Sequence, residues 1–140
     1  MIGYKLSQEE KEEVKNRLSS LLSNKDEIIF AYIHGSFIDA YWFRDLDIAV
    51  YLDEKKVSKK ALDYELTLSV ELEKALKLPV DIKILNYAPL SFRYKVTKGK
   101  VVFSRNEEKR YTFLEDTWHR YLDFAPVEKE FMRETSRIKY

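Results

Sequence analysis

Six consecutive apolar residues, Ile28-Ile29-Phe30-Ala31-Tyr32-Ile33, run without a polar interruption into His34-Gly35-Ser36. A β-branched and aromatic run of this kind suits a strand buried on both faces, which needs packing layers above and below it. The flanking sequence supplies them. Ser7-Gln8-Glu9-Glu10 has the S-x-x-E form of a capping box, and Val14, Leu18, Leu21 and Leu22 follow at helical spacing, predicting a helix from about Ser7 to Leu22. Leu62, Leu66, Ser69, Leu72 or Glu73, and Leu76 predict a long second helix from Ser58 to about Leu76, with Pro79 just past its end.

Two alternating segments predict further strands. In Asp45 to Leu52 the residues Leu46, Ile48, Val50 and Leu52 share one face, which leaves Asp45 and Asp47 on the other. In Val80 to Leu85, Asp81 and Lys83 stand opposite Val80, Ile82 and Ile84, and Val101-Val102-Phe103 after Gly99 predicts a short fourth strand. Short helices are expected around Phe37 to Tyr41 and within Pro89 to Lys98. From about Glu107, Tyr111, Leu114, Trp118 and Tyr121 or Leu122 recur at helical spacing, and Pro126 is expected to open a final helix holding Phe131. The class is α/β or α+β, a small sheet with helices packed on it, in one domain over residues 1–140 with a helical C-terminal segment from about 107.

Composition narrows the chemistry. With no Cys, thiol nucleophiles, thiolate metal sites and disulfides are all excluded. A net charge of +1 argues against a protein that coats nucleic acid, so direct nucleic-acid binding is not expected. The 35% of charged residues and the single Gln lean toward an ion-pair-rich surface of thermophilic type. The N-terminal MIGYKLSQEEKEEVK lacks the apolar core of a signal peptide, and no run of about 18 apolar residues is present, so a soluble, cytoplasmic protein without membrane contact is expected.

Chemistry concentrates between His34 and Asp81. Asp45-Leu46-Asp47 begins nine residues after Ser36, and Asp81 opens the next predicted strand. Two residues along a strand advance about 6.6–6.8 Å on one face, so the paired carboxylates can flank hard cations, and Mg²⁺ takes oxygen ligands while leaving positions for phosphate. A glycine after a buried strand lets backbone approach a phosphate, and the Ser36 hydroxyl adds a donor. Asp81 is a third candidate ligand and a candidate general base. The pattern fits nucleotidyl transfer, in which a hydroxyl attacks an α-phosphate and pyrophosphate leaves. Taken singly each element is weak, because a Gly-Ser is usually a turn and two acids on a strand usually face solvent. Two carboxylates bordering an apolar core beside that turn are unusual without cations nearby.

Other residues read more plainly. His34, at a strand end beside glycine, is more often hydrogen-bonded structure than a nucleotide contact. Arg44 and Lys83 flank the acids and can either neutralise them or touch triphosphate. Trp118, Tyr121 and Phe124 read as core or an interface stripe, the Lys-rich stretches 55 to 60 and 95 to 100 as solvated faces, and His119 as surface.

GSFIDAYWFRDLDIAVYL resembles the active-site signature of the DNA polymerase beta nucleotidyltransferase superfamily, and specifically of its minimal nucleotidyltransferases (MNT). It departs at Ala40, where that family commonly has glycine, and at Arg44, where serine is common. The resemblance implies a mixed sheet flanked by helices. It further implies Asp45, Asp47 and Asp81 as catalytic metal ligands for two Mg²⁺ ions, and Gly35 and Ser36 as holders of the triphosphate of ATP. Members of this size resemble the antitoxin of MNT/HEPN toxin–antitoxin pairs, which moves AMP to a tyrosine of a small helical HEPN protein. Only about 40 residues follow the expected sheet, few for a separate acceptor-binding domain, which fits an acceptor brought by another protein. Tyr111, Trp118, Tyr121 and Phe124 are candidates for a docking or self-association face. Two alternatives stay open: a non-catalytic module that neutralises a partner by occlusion, and transfer to a small hydroxylated molecule.

Overall fold

The computed structural model describes the backbone of residues 3–136 and the side chains of residues 3–123. Its centre is β1 (Ile28–His34), all seven residues of which are buried, as the unbroken apolar run requires. β2 (Leu46–Leu52) and β4 (Lys100–Ser104) pair with it antiparallel on either side, and β3 (Val80–Ile84) lies parallel to β2 at one edge. The sheet order is β3-β2-β1-β4, and the parallel pair is joined by the crossover helix α3 (Ala61–Leu76) that such a connection needs.

Two cores sandwich the sheet. On one face α1 (Gln8–Ser23) and α3 pack Leu18, Leu22, Leu68 and Leu72 against Ile33, Ile48 and Ile82. On the other, α4 (Leu90–Thr97) and α5 (Glu107–Ser136) bring Val96 and Phe113 onto Phe30, Tyr32 and Ala49. α1 begins as expected, because Ser7 Oγ accepts from Glu10 N at 3.1 Å and Glu10 Oε1 accepts from Ser7 N at 2.8 Å, a complete capping box. No helix among the described residues is long and apolar enough to cross a membrane.

Three expectations need correction. The inward stripe of α3 is Tyr64, Leu68, Leu72 and Leu76, whereas Leu62 and Leu66 are 64% and 56% exposed. Leu72 and Leu76 are common to the expected pattern and the observed stripe, but Leu62/Leu66 and Tyr64/Leu68 share the same four-residue spacing, so spacing alone fits either pair and contact with β3 selects the second. The helix also starts at Ala61 rather than Ser58, after a 3₁₀ turn over Glu54–Lys56 capped by Asp53. α5 is continuous through Pro126, so no separate helix opens there: a proline's fixed φ is compatible with helix, and the lost donor and the ring's contact with the preceding turn do not end it. The side chain of Phe131 lies outside the described residues.

The phase of α3 is directly testable. Leu72→Ala should lower unfolding free energy by about 2–5 kcal/mol, the usual cost of a core cavity. Leu66→Ala, on the outward face, should stay within about 0.5 kcal/mol in the same urea titration. The reverse order would turn the helix by about half a turn, placing its Leu62/Leu66 face on the sheet.

Candidate active site

The end of β1 meets the start of β2 at Gly35. This residue has φ +82°, a left-handed value that glycine adopts without strain, and a Cβ placed there would overlap Oδ2 of Asp47. Glycine is therefore required twice over, by conformation and by the carboxylate lying against its backbone. Beyond it the chain makes a single helical turn, α2 (Ser36–Asp39), one residue earlier than expected, with the Ile38 and Asp39 amides both donating to the Gly35 carbonyl at 3.0 Å.

The loop from Ala40 to Asp45 is held from three directions. Tyr4 and Phe43 exchange backbone hydrogen bonds of 2.7 and 3.0 Å, and Phe43 is buried edge-on against Phe37. Leu46 N donates to Pro79 O at 2.9 Å, which ties the start of β2 to the start of β3. Lys11 of α1, only 7% exposed, donates Nζ to the Phe37 carbonyl at 2.7 Å and to the Ala40 carbonyl at 3.1 Å, over the rings of Phe37 and Phe43. Ala40 itself is extended, with φ −126°, so a side chain where the family commonly has glycine strains nothing. Sequence reading missed Lys11, because a lysine inside an acidic first helix looks like solvent-facing charge; its only signal is that it precedes Val14 and Leu18 on the buried face by three and seven residues.

The three sequence-predicted acids come to one end and one face of the sheet. Asp47 and Asp81 are register partners across β2 and β3, and Asp45 precedes β2 by one residue, two before Asp47. Asp47 and Asp45 are half-buried and Asp81 is exposed. Burial, then the charges of Asp45 and Asp81, push the Asp47 carboxyl up from 3.8 to about 6, with Lys95 and Lys83 partly offsetting them. Lys83 and Lys95 are thus the cations of this site, while Arg44 is exposed and is not among those influences. As they stand, no three acidic or imidazole side chains among the described residues are drawn together closely enough to hold an ion. The donor set is nonetheless right for one, being three carboxylates of which the central one, Asp47, is repelled by the other two.

His34 departs from its expected role. It is 8% exposed, neither ring nitrogen has a hydrogen-bond partner, and its ring meets Phe92 edge-on at 5.5 Å. Burial and then the charge of Lys95 lower its pKa, so the neutral ring is favoured. The aromatic residues of α5 also divide. Tyr121 stacks on Tyr94 and Trp118 Nε1 donates to Thr97 Oγ1 at 2.9 Å, so both join α5 to α4, while Tyr111 is exposed. Trp118 and Tyr121 are thus partly covered by α4 while Tyr111 meets solvent, and Phe124 lies outside the described side chains.

Residues 16–108 match the family described as Polymerase beta, Nucleotidyltransferase. The chain belongs to that nucleotidyltransferase family. No curated protein matches it in sequence. Among solved structures it is similar to a chain of the toxin–antitoxin MntA-HepT, with a TM-score of 0.65 at 19% identity over 89% of this chain and 98% of that one. It is similar to a chain in the complex of tri-AMPylated Shewanella oneidensis HEPN toxin with MNT antitoxin, with a TM-score of 0.66 at 20% identity over 90% and 98%. A toxin–antitoxin structure with AMP-PNP gives a TM-score of 0.67 at 21% identity over 87% and 98%. These likenesses establish the polymerase beta-like nucleotidyltransferase fold, with its mixed sheet flanked by helices.

Two outcomes test this geometry. Lys11→Met keeps the apolar stem and removes one buried and one part-buried hydrogen bond, and should lower unfolding free energy by about 1–3 kcal/mol. Asp47→Asn should instead stabilise the metal-free protein, because a carboxyl whose pKa rises on folding makes its ionised form a liability above that pKa. The gain, on the order of 1 kcal/mol after solvent screening, should be full above pH 6 and vanish near pH 4, below which wild-type Asp47 is protonated in both folded and unfolded chains. Thermal melts across that range read it directly.

Proposed function

We propose that this protein transfers AMP from ATP to a tyrosine hydroxyl of a small helical HEPN-type partner and thereby acts as an antitoxin. The observation that carries the reading is the packing of Asp47 against Gly35 with Asp45 and Asp81 beside it, an acid cluster that raises the pKa of its own centre. Such a site costs stability without a counter-charge and suits binding a cation together with a polyphosphate. Family membership and the AMP-PNP and AMPylated-toxin contents of the similar structures support nucleotide as donor and a HEPN protein as acceptor.

In this reading Gly35 lets its backbone approach the triphosphate and Ser36 adds an amide and a hydroxyl. Asp45, Asp47 and Asp81 hold Mg²⁺, two ions by the family resemblance. Bound there, the metal would neutralise the triphosphate and the departing pyrophosphate. Asp81, the exposed member at the β3 edge, takes the proton from the incoming hydroxyl. The hydroxyl oxygen forms its bond to the α-phosphorus, the bond from that phosphorus to the bridging oxygen breaks, and pyrophosphate leaves with the electron pair.

α-Labelled ATP with Mg²⁺ and proteins captured by this chain from its native lysate test the proposal. Label should enter a captured protein with wild type, and drop by at least about 10²-fold with Asp45→Asn/Asp47→Asn at unchanged capture. Capture and neutralisation without label in either case would identify an occluding module. Label in a small hydroxylated molecule would identify a different acceptor.

A further inference from the structure

The acids have two cations near them, and the fold sets these apart. Lys83 stands on β3 beyond Asp81, at the edge of the sheet, whereas Lys95 stands on α4 at the end of β1. α4 is fastened to that end at two points. The Phe92 ring meets His34 edge-on at 5.5 Å, and a Cβ on Gly99, just past the helix, would overlap the Ile33 carbonyl oxygen and lie 3.2 Å from His34 Cα. The helix then decides where Lys95 goes. Seen down its axis, at about 100° per residue, Phe92 lies between Lys95 on one side and Val96 on the other. Val96 is buried toward Phe30 and Tyr32, over the middle of the sheet, so Lys95 leans the opposite way, past His34. After burial, Lys95 is the largest influence on the His34 ring, and it is the largest positive one on Asp47, whose Oδ2 lies against Gly35. Among the described residues Lys95 pairs with no carboxylate, while Lys98, one turn on, holds its ammonium 4.6 Å over the Tyr94 ring.

We propose that Lys95 binds the terminal phosphates of the nucleotide and so selects a nucleoside triphosphate over a monophosphate. The assignment rests on the nucleotidyltransferase reading above and adds to it a residue outside both the Gly-Ser turn and the acids. A phosphate chain held by the Gly35 backbone and by Ser36 is held at the residues that directly follow His34, on the side to which Lys95 leans. Charge gives the reason. Three carboxylates and a triphosphate together outweigh two Mg²⁺ ions, and the surplus is negative; a lysine on a flexible stem meets it as a compact point charge. Lys83 stands across the acids from Gly35 and is not placed for that contact. The simpler role for Lys95 is to neutralise Asp47 until metal arrives. The two roles differ in sign. A lysine that only neutralises Asp47 competes with the metal, so its removal tightens binding of the metal–nucleotide complex, whereas removal of a phosphate ligand weakens it.

Isothermal titration of the full chain with α,β-methylene-ATP and Mg²⁺ reads the contact without turnover, because the bond from the α-phosphorus to the bridging carbon does not break. Lys95→Met should weaken binding of that triphosphate by at least about 10-fold, with affinity for AMP within about 2-fold of wild type, and Lys95→Arg should restore most of the loss. Lys95 is exposed, so these substitutions spare the core. Lys98→Met removes the same charge one turn away and should leave both ligands unchanged. Unaltered or tighter triphosphate binding in Lys95→Met, an equal loss for AMP, or an equal loss in Lys98→Met would each overturn the assignment. Transfer from α-labelled ATP separates it from the reading it rests on. Label entering a captured protein with Lys95→Met at the wild-type KM for ATP would sink the Lys95 contact and leave transfer standing. Triphosphate binding that depends on Lys95, in a wild-type protein that transfers no label, would overturn the transfer reading and leave the contact standing.

Discussion

Everything at the acid end of the sheet depends on one close approach, the Asp47 carboxylate against the backbone of Gly35. β1 makes this possible by being buried along its whole length, so its end is a fixed point from which the chain must turn sharply. Glycine at φ +82° makes the turn without a side chain, and β2 returns antiparallel with Asp47 opposite His34. Any other residue at position 35 would displace the carboxylate, the turn, or both. The stapling of the next loop by Lys11, Tyr4 and Pro79 then has a clear purpose, since it holds Asp45 and the first residues of β2 in register with that point.

The electrostatics are set against stability. Asp47 is desolvated and repelled by two other acids, with Lys83 and Lys95 offsetting only part of that repulsion. Elsewhere the chain treats charge differently: Lys11 is buried on two carbonyls and two aromatic faces, and the buried Arg110 donates to the Tyr32 hydroxyl and the Glu107 carboxylate. The contrast marks the acid cluster as a place where folding leaves negative charge only partly compensated, as expected of a site completed by a bound cation.

What could be read from sequence follows from how locally each feature is determined. The capping box of α1, the strands and their polar and apolar faces, and the Gly-Ser turn rest on neighbouring residues and are found where expected. The phase of α3 does not, because Leu62 and Leu66 repeat as regularly as Tyr64 and Leu68, and only the sheet decides between them. Lys11 was invisible for a related reason: its burial depends on carbonyls 26 and 29 residues away. The three acids were identifiable as a group from strand alternation, but the burial of His34 without a hydrogen bond required knowing that Phe92 covers it.

Why the acids sit at an end of the sheet follows from the two cores. With α1 and α3 on one face and α4 and α5 on the other, β1 and β2 can meet solvent and ligand only where they end. At one such end β1 finishes in Gly35 while β2 and β3 begin, which brings Asp47 and Asp81 together at the edge of the packing. The stacking of Tyr94 on Tyr121 and the Trp118–Thr97 hydrogen bond join α4 to α5, and so fix Phe92 and Lys95 above that end. The aromatic residues of α5 therefore serve the site from a distance. Loosening them should move the wall of the acid end before it unfolds the sheet, because α4 contributes one buried residue, Val96, to the core beneath it.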